Sequence, residues 1–411
     1  MTTPEFTPTT QTELARFVAE NAVGDKRTLS PVGGRTALHY GFKAAQPQTV
    51  IALSGLARVV DYPARDMTIT VEAGMRIDEL QATLASERQR LPIDIAQAGR
   101  ATLGGALATN TSGPRRFGHG TFRDFVIGIS AVDAHGRAFK AGGRVVKNVA
   151  GYDICKLLVG SRGTLAIITQ VTLKLRPLAE TSALLWSSFA SLADTDRVLE
   201  RLLTSDARPV AVEVLNPAAA KLIAASSRCE LPVAAPVLCL GVEGSQREVD
   251  WQIETLRREV APFGVTSSNV VSEPEATSMW QALTEFQTCA DDPLTFQANV
   301  RPSQCVAFLE RATRLNVAVQ AHVANGIVIG QLPESAATVD ETTAILNELR
   351  QAARSSNGNL HVLHCDPEWQ PLLPMCGDPE PAWPLMRQLK RQLDPHGLLN
   401  PGQFVDGVES R

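Results

Sequence analysis

The sequence predicts an α+β protein with more than one domain, because short alternating strands and amphipathic helices follow one another along its 411 residues. Glycine-rich loops separate the predicted strands before Pro177, and longer helical patterns replace them afterwards. A β-α-β-β-α-β order over 296–365 is typical of a ferredoxin-like antiparallel sheet. At roughly 150 residues per domain, this length predicts two or three domains.

Composition and charge exclude several classes of protein. Hydrophobic residues make up 44% of the chain, charged residues make up 20%, and the net charge is −4, so no surface for nucleic acid is expected. No apolar run approaches the roughly 20 residues of a membrane helix, and the N-terminal residues do not resemble a signal peptide. We therefore expect a cytoplasmic protein that meets a membrane only indirectly, through partner subunits.

The seven cysteines include no Cys-x-x-Cys pair, and their number is odd. This pattern excludes an ordinary zinc or iron–sulfur site and disfavours a disulfide framework. We expect reduced, mostly buried thiols, so that any iron–sulfur cluster used for electron transfer would belong to another chain.

The first part of the chain predicts a small α+β lobe that ends near residue 98. The spacing of Thr10 and Glu13 is that of a capping box and predicts a helix over 10–21. A strand over 29–32 then runs into Gly33 and Gly34, whose N–H groups can form an anion-binding nest that suits phosphate. Alternating patterns predict further strands and one helix, at 49–53, 59–62, 67–72 and 77–84.

The glycine-rich stretch 99–175 forms a second predicted lobe. Patterns in its second half predict a hairpin with strands at 126–132 and 138–140, followed by a strand over 166–175. Glycine at this density means backbone with positive φ or a close approach to another group. That group is either a ligand with an extended polar chain, which would lie between the two lobes, or the tight turns of a twisted sheet.

The chain beyond Pro177 predicts an inserted domain with a central sheet. Apolar spacing predicts helices at 192–204, 217–226, 247–260, 304–313 and 338–354. Strands are predicted between them, at 210–215, 237–242, 296–300, 317–322, 326–330 and 360–365. A helix over 382–393 and a turn-rich tail, 394–402, follow a connector rich in proline and glycine.

Four motifs in this order resemble the flavoproteins of the vanillyl-alcohol oxidase class, whose FAD domain is called PCMH-type. They are 31–36 (Pro-Val-Gly-Gly-Arg-Thr), 102–113, 163–169 and 394–402. The resemblance implies a two-lobed PCMH-type FAD-binding domain over 1–178, with lobes of about 1–98 and 99–178. It also implies an α/β cap over 179–375 that contains the ferredoxin-like sheet, and a segment over 376–411 that returns to the FAD domain.

The same resemblance implies a set of residues that hold FAD. Arg35 stands in the loop where many relatives carry a histidine bonded to flavin, so noncovalent FAD is expected, with His39 and His119 as alternative attachment points. The residues expected to bind FAD are Val32, Gly33, Gly34, Arg35, Thr36, Ala37, Leu103, Gly104, Gly105, Thr109, Asn110, Gly113, Gly118, Gly163, Thr164, Ile167, Ile168 and Asn400.

Within the class, 147–157 and 208–215 resemble glycolate oxidase and its D-2-hydroxy-acid dehydrogenase relatives, most of all the FAD-binding subunit of glycolate oxidase. Catalytic members carry Gly-His-x-Gly-Asp-Gly-Asn-x-His, where histidines and an acid hold a divalent metal. Here His322 matches, but Asn325 and Ile329 replace the acid and the second histidine. Isoleucine has no lone pair for a metal, so no metal site is expected.

A second histidine pair, His361 and His364, is three residues apart within a predicted strand. Strand alternation would place these side chains on opposite faces, which argues against a shared metal. A histidine in the position of His322 is more often one satisfied within the cap than a metal ligand.

Three functions remain open. The first is the FAD-binding subunit of a glycolate oxidase complex, which would pass electrons to a catalytic flavin subunit and an iron–sulfur subunit. The second is a self-sufficient dehydrogenase for a small D-2-hydroxy acid, with His322, Arg301 and His361 as candidate base and carboxylate anchor. The third is a structural partner that keeps the fold only. Retention of the glycine loops and loss of the metal motif favour the first.

Overall fold

The computed structural model describes residues 4–41, 48–143, 152–288 and 293–404. These form two compact units, of which the first comprises described residues of 1–111, 121–178 and 379–411. The second unit comprises 112–120 and the described residues of 179–378. Segment 112–120, predicted as part of the FAD domain, therefore groups with the second unit. Cys289 and part of the 147–157 motif lie outside the described residues.

The strands of the described chain are β1 (Glu5–Phe6), β2 (Thr28–Val32), β3 (Gln48–Ala52), β4 (Val59–Asp61), β5 (Thr68–Glu72), β6 (Gln89–Arg90), β7 (Val126–Val132), β8 (Ala138–Gly142), β9 (Ile167–Lys174), β10 (Arg176–Pro177), β11 (Thr181–Phe189), β12 (Ala211–Leu215), β13 (Val237–Gly244), β14 (Val265–Ser272), β15 (Leu294–Asn299), β16 (Ala318–His322), β17 (Ile327–Gln331) and β18 (Asn359–Cys365).

The α-helices are α1 (Gln11–Val23), α2 (Ile77–Ala85), α3 (Leu103–Thr109), α4 (Arg116–His119), α5 (Phe122–Phe125), α6 (Ile154–Leu158), α7 (Leu192–Leu202), α8 (Pro217–Ser227), α9 (Gln246–Val260), α10 (Glu275–Glu285), α11 (Cys305–Arg314), α12 (Val339–Ser355) and α13 (Trp383–Leu393). In the part of the chain described here, none of these helices has the length and apolarity needed to cross a membrane.

The first unit contains two main sheets, which do not divide at the predicted lobe boundary near residue 98, because β4 and β5 belong to the same sheet as β7, β8 and β9. Strands β1, β3 and β2 form a parallel sheet whose core includes Leu14, Ile51 and Leu399. Strands β4, β5, β9, β7 and β8 form a larger antiparallel sheet. The α+β fold class is confirmed. Helix α3 was not predicted, because its two glycines have low helix propensity. Its N-cap is nevertheless regular, since the Thr102 hydroxyl accepts a hydrogen bond from the Gly105 N–H.

The second unit is built on one antiparallel sheet of eight strands, in the order β14-β11-β13-β12-β16-β17-β15-β18. Strands β15 to β18, with α11 and α12, form the ferredoxin-like half that the sequence predicts. Strands β11 to β14 repeat that order in a second half, which joins the first where β12 pairs with β16. The sequence analysis missed this repeat because it assigned no strand to β11 or β14.

A buried ion pair ties the C-terminal tail to the first unit. The Asp394 carboxylate is fully buried and accepts hydrogen bonds from the Lys390 ammonium at 2.5 Å and from the Leu398 and Leu399 amides. Lys390 also donates to the Thr164 carbonyl at 2.7 Å. We call Lys390, Asp394 and Asn400 the C-terminal clasp, because together they hold the tail against β2 and the loop before β9.

Replacing Asp394 with alanine should destabilise the first unit by about 3–5 kcal/mol, because it leaves a buried ammonium and two buried amides without their acceptor. Denaturant unfolding followed by circular dichroism measures this loss. The control, Arg391→Ala on the exposed side of the same helix, should change stability by no more than about 0.5 kcal/mol. Equal losses in both variants would contradict the role of the clasp.

Candidate functional site

The predicted phosphate loop touches the start of α3 so closely that only glycine fits. A Cβ on Gly34 would lie 1.7 Å from the Arg100 carbonyl oxygen, and one on Gly33 would lie 1.9 Å from the Thr102 hydroxyl. Because that hydroxyl caps α3, a larger residue at position 33 would disturb both the loop and the helix start. The two glycines therefore keep the loop against 100–102.

The C-terminal tail and the loop before β9 both contact the end of β2, the strand that leads into the phosphate loop. A Cβ on Gly163, whose φ is +68°, would lie 2.9 Å from Pro31 and 3.5 Å from the Asn400 amide nitrogen. The Asn400 side chain donates to the Arg162 carbonyl and accepts from the Ser30 hydroxyl. The tail thus joins the first strand to the third predicted flavin motif through one asparagine.

The end of α3 completes this arrangement. The Gly160 N–H donates to Leu107 at 3.0 Å, and the Arg162 N–H donates to Ala108 at 2.7 Å, so loop 160–164 runs along the end of the helix. Asn110 follows in the left-handed conformation and closes the helix. We define the cradle as residues 30–34, 100–110, 160–164 and Asn400, all within the first unit.

Two polar atoms in the cradle are buried without a hydrogen-bond partner among the described residues. They are the Asn110 side-chain oxygen and the Ser161 hydroxyl. An unpaired buried acceptor or donor costs about 1–3 kcal/mol, so such atoms indicate a polar partner that completes them. A dinucleotide with ribityl hydroxyls and a pyrophosphate can supply both kinds of partner, and the residues present therefore fit FAD.

Several predicted FAD residues take part in packing or local hydrogen bonds. A Cβ on Gly104 would lie 2.7 Å from the Cβ of Ala73, the residue after β5, so the close approach at this glycine is to protein backbone and side chain. Gly105 is exposed and its Cβ position is open except toward Thr102. The Thr109 hydroxyl bonds Thr111 and the carbonyls of its own helix. The remaining buried members are Val32, Leu103, Thr164, Ile167 and Ile168.

The other predicted residues lie at the rim of the loop or outside the first unit. Arg35 is exposed and pairs with Glu5 at 2.9 Å, and Thr36 and Ala37 beside it are half-buried. Gly113 and Gly118 belong to the second unit, where the Gly118 N–H donates to Val210. The sequence analysis grouped all of these with the cradle.

Segment 112–120 carries a charged cluster within the second unit. The Arg115 guanidinium lies over the Trp280 ring and pairs with Glu243 at 2.6 Å. The His119 Nε2 is 3.1 Å from the same carboxylate. In this structure His119, one alternative flavin attachment point, is thus placed on the cap sheet by Glu243.

His322 ends β16 and forms the most buried histidine–carboxylate pair of the described cap. Its Nδ1 lies 2.7 Å from both oxygens of Glu213, which is 1% exposed and directly opposite on β12. The Gln320 amide donates to Glu213 at 2.8 Å, while its own oxygen is buried without a partner in the described chain. The Nδ1 is therefore fixed, and Nε2 is the ring nitrogen left for another group.

The prediction that His361 and His364 point to opposite faces is wrong. A β-bulge inserts Leu363 into β18, so that His361 pairs with Gln297 and His364 pairs with Thr295 on the regular strand β15. Since Gln297 and Thr295 are two residues apart, both histidines share one face. Among the described residues, however, no three His, Cys, Asp or Glu side chains are grouped so as to hold a metal.

Arg301, the other candidate anchor, is exposed and precedes a short helical turn at Pro302–Gln304. The Cys305 thiol lies within hydrogen-bonding distance of both the Arg301 carbonyl and the carbonyl of Val323, the residue after His322, so the Arg301 backbone is next to the His322 turn. The structure also adds four residues that the sequence analysis missed: Thr102, Ser161, Glu213 and Lys390. Of these, Ser161 and Thr102 lie next to motif residues and could have been found, whereas Glu213 and Lys390 act through partners over a hundred residues away.

Comparison with known families matches two domain families along the chain. Residues 5–142 match the FAD binding domain, and 178–404 match the C-terminal domain of FAD linked oxidases. The chain is 28% identical to D-2-hydroxyglutarate dehydrogenase of Xanthomonas citri pv. viticola, over 92% of this chain and 84% of that protein. It is 27% identical to glycolate oxidase subunit GlcE of Escherichia coli, over 84% of each chain.

The fold also matches solved structures. Substrate-bound p-cresol methylhydroxylase superposes with a TM-score of 0.74 at 17% identity, covering 98% of this chain and 88% of that one. At this identity the match shows the fold alone, which is the PCMH-type fold that the motifs predict.

Removing the two unpaired cradle groups should weaken FAD binding without unfolding the protein. In Asn110→Gly and Ser161→Ala, we expect the FAD dissociation constant to rise about tenfold, the value of one hydrogen bond. Glycine is chosen at 110 because the residue has a φ of +54°. The control Asn357→Gly, also at positive φ, should bind FAD normally. Titration by flavin fluorescence measures this, and unchanged affinity would contradict the assignment.

Burial lowers the pKa of His364, although Asp366 opposes this effect, so the folded protein holds the imidazole neutral. The imidazole therefore binds a proton more readily in the unfolded chain than in the folded protein. As pH falls below the ordinary histidine pKa, this difference lowers the free energy of unfolding, whereas above that pKa it has no effect. Between about pH 7.5 and about pH 5, His364→Gln should therefore lose less stability than the wild type. The exposed control His135→Gln should follow the wild type in chemical unfolding, and identical pH profiles for all three proteins would contradict this.

Proposed function

This chain belongs to the FAD-linked oxidases, and on that premise we propose that it is the FAD-binding subunit of a complex that oxidises a small 2-hydroxy acid such as glycolate. The observation that carries this proposal is the complete cradle of the first unit, combined with a cap whose metal motif retains only His322. Relatives named for glycolate and D-2-hydroxyglutarate support the substrate class.

In the proposed reaction, a 2-hydroxy acid becomes a 2-oxo acid. The hydroxyl loses a proton, and the carbon that bears it loses a hydride. FAD, when bound, supplies an acceptor for these two electrons, as a hydride or singly, and can release them one at a time to a partner's iron–sulfur clusters. The protein's task is then to bind, orient and shield this group.

The cradle residues would divide that task. The backbone N–H groups around Gly33 and Gly34 suit the pyrophosphate, because this loop has no lysine to neutralise it. Ser161 and Asn110 would complete their buried polar atoms on the cofactor's hydroxyls or phosphates. Arg35 already pairs with Glu5 and offers no nucleophilic atom, which supports noncovalent binding.

The surroundings of His322 support a subunit role. Glu213 occupies its Nδ1, and Ile327 and Ile329 are its neighbours on the adjacent strand β17. Isoleucine at 329 cannot contribute a ligand or a proton, and the carboxylate beside His322 is already bonded to it. The other imidazoles of this sheet face, His361 and His364, lie on β18, two strands beyond β17. A catalytic partner would then supply the metal and the groups that hold the hydroxy acid.

A second candidate function is a self-sufficient D-2-hydroxy-acid dehydrogenase. The pairing of Glu213 with His322 favours it, because the pair could serve as a catalytic base. A carboxylate on Nδ1 orients an imidazole and stabilises its protonated form, as a general base needs. In this case His322 would take the hydroxyl proton through Nε2, and Glu213 would act as its positioning residue.

One purification separates these functions. The chain expressed alone should bind FAD and show an oxidised flavin spectrum, and adding glycolate or D-lactate should leave that spectrum unchanged. Bleaching by either acid alone would contradict the subunit role and support the second candidate, in which case His322→Gln should abolish the bleaching. A colourless protein that cannot be reconstituted with FAD would contradict both and indicate a structural partner.

The attachment of FAD has its own test. Acid denaturation should release all the flavin into the supernatant, because the loop offers Arg35 where attachment would need a nucleophile. Flavin that stays with the precipitated wild type but leaves His119→Ala or His39→Ala would contradict noncovalent binding.

A further inference from the structure

The sheet of the second unit has two edge strands, β18 and β14, and only β18 is covered by another segment of the described chain. Strand β18 is covered, because the Val362 N–H donates to Met375 at 2.8 Å and Asn359 bonds the backbone of Asp378. At the other edge, within the described chain, no backbone hydrogen bond joins β14 to any segment other than β11. The outward N–H and C=O groups of β14 are thus open to pairing.

Beyond a bulge at Thr266 near its start, strand β14 also lacks the features that usually protect an edge. Its sequence, Val-Thr-Ser-Ser-Asn-Val-Val-Ser, has no charge and no proline over eight residues. Residues 266–269 are all exposed, and the register with β11 is regular from Ser267 to Ser272. Natural proteins block such edges with charges, proline, bulges or covering segments, so a long regular edge without them indicates a pairing surface.

We propose that β14 pairs antiparallel with β14 of a second copy of this chain, joining the two eight-stranded sheets into one. Such a pairing is two-fold symmetric and uses the same surface on both copies, so the assembly closes at a dimer. It is independent of the proposed function, since the cradle lies in the other unit.

Charge complementarity selects a second copy as the partner. The exposed Arg257 and Arg258 end α9, just before β14, where Arg258 lies 3.8 Å from Glu254 of its own helix, and the exposed Glu273 and Glu275 follow β14. An antiparallel two-fold pairing places the basic end of each strand beside the acidic end of the other. The strand between them is uncharged, so self-pairing brings no like charges together.

A groove beside the acidic end can accept those arginines. It measures about 380 Å³ and is lined by α9 and the end of β14, with Asp250, Glu254 and Glu273 as its carboxylates and Val270 among its apolar residues. In the paired arrangement, the last turn of the second copy's α9 approaches this end of the groove. Arginine stems pack on apolar surface while the guanidinium meets carboxylates, which suits this lining.

Sedimentation velocity on the full FAD-loaded chain tests the proposal. The wild type should sediment with twice the mass of one chain, and Ser267→Lys with Asn269→Lys should reduce it to one, because four lysines would then meet across the two-fold axis. The control, Ala225→Lys with Ser226→Lys on exposed positions of α8, should remain dimeric. Flavin content read in the same samples separates this result from failure of the cradle.

A charge exchange provides a variant that does not alter the strand. Arg258→Glu should raise the dimer dissociation constant at least tenfold, and adding Asp250→Arg should restore it. A wild type that stays monomeric at all concentrations, including one that joins only a different protein, would overturn the proposal. Lysine variants that dimerise as tightly as the wild type would overturn it as well.

Discussion

The buried contact between Lys390 and Asp394 is the constraint on which the cradle depends. It fixes the turn of a tail whose backbone also pairs with Leu29 of β2, and through Asn400 that tail reaches both the end of β2 and the loop before β9. An ion pair is costly to bury, but here the carboxylate also satisfies two amides and the ammonium satisfies two carbonyls. The last residues of the first unit thereby join segments distant in sequence.

Local patterns predicted much of the fold. Strand β7, helix α2 and the hairpin after β7 follow from alternation and turn residues, and the structure places them within a few residues of those patterns. The repeat in the cap was missed because β14 is polar and exposed, which gives it no alternating signal. The bulge at Leu363 was invisible for a different reason: it appears only in the pairing of β18 with β15. Side-chain partners such as Glu213 require the tertiary fold.

The two units differ in which features of a cofactor or metal site they retain. The first has steric reasons for glycine at 33, 34 and 163 and unpaired polar atoms at 110 and 161, a combination that a purely structural domain does not need. In the cap, the one histidine that matches the metal motif, His322, is paired with Glu213, and Gln320 supports that carboxylate. This contrast between the two units is the physical basis for the proposed role in a complex.

Amide hydrogen exchange of the full chain with and without FAD tests the central claim most directly, because it locates the bound cofactor without relying on turnover. The account predicts slower exchange in peptides covering 30–37, 100–111 and 160–164, where backbone N–H groups and the two unpaired side chains would meet the ligand. FAD that binds while these three segments exchange at unchanged rates would contradict the assignment of the cradle.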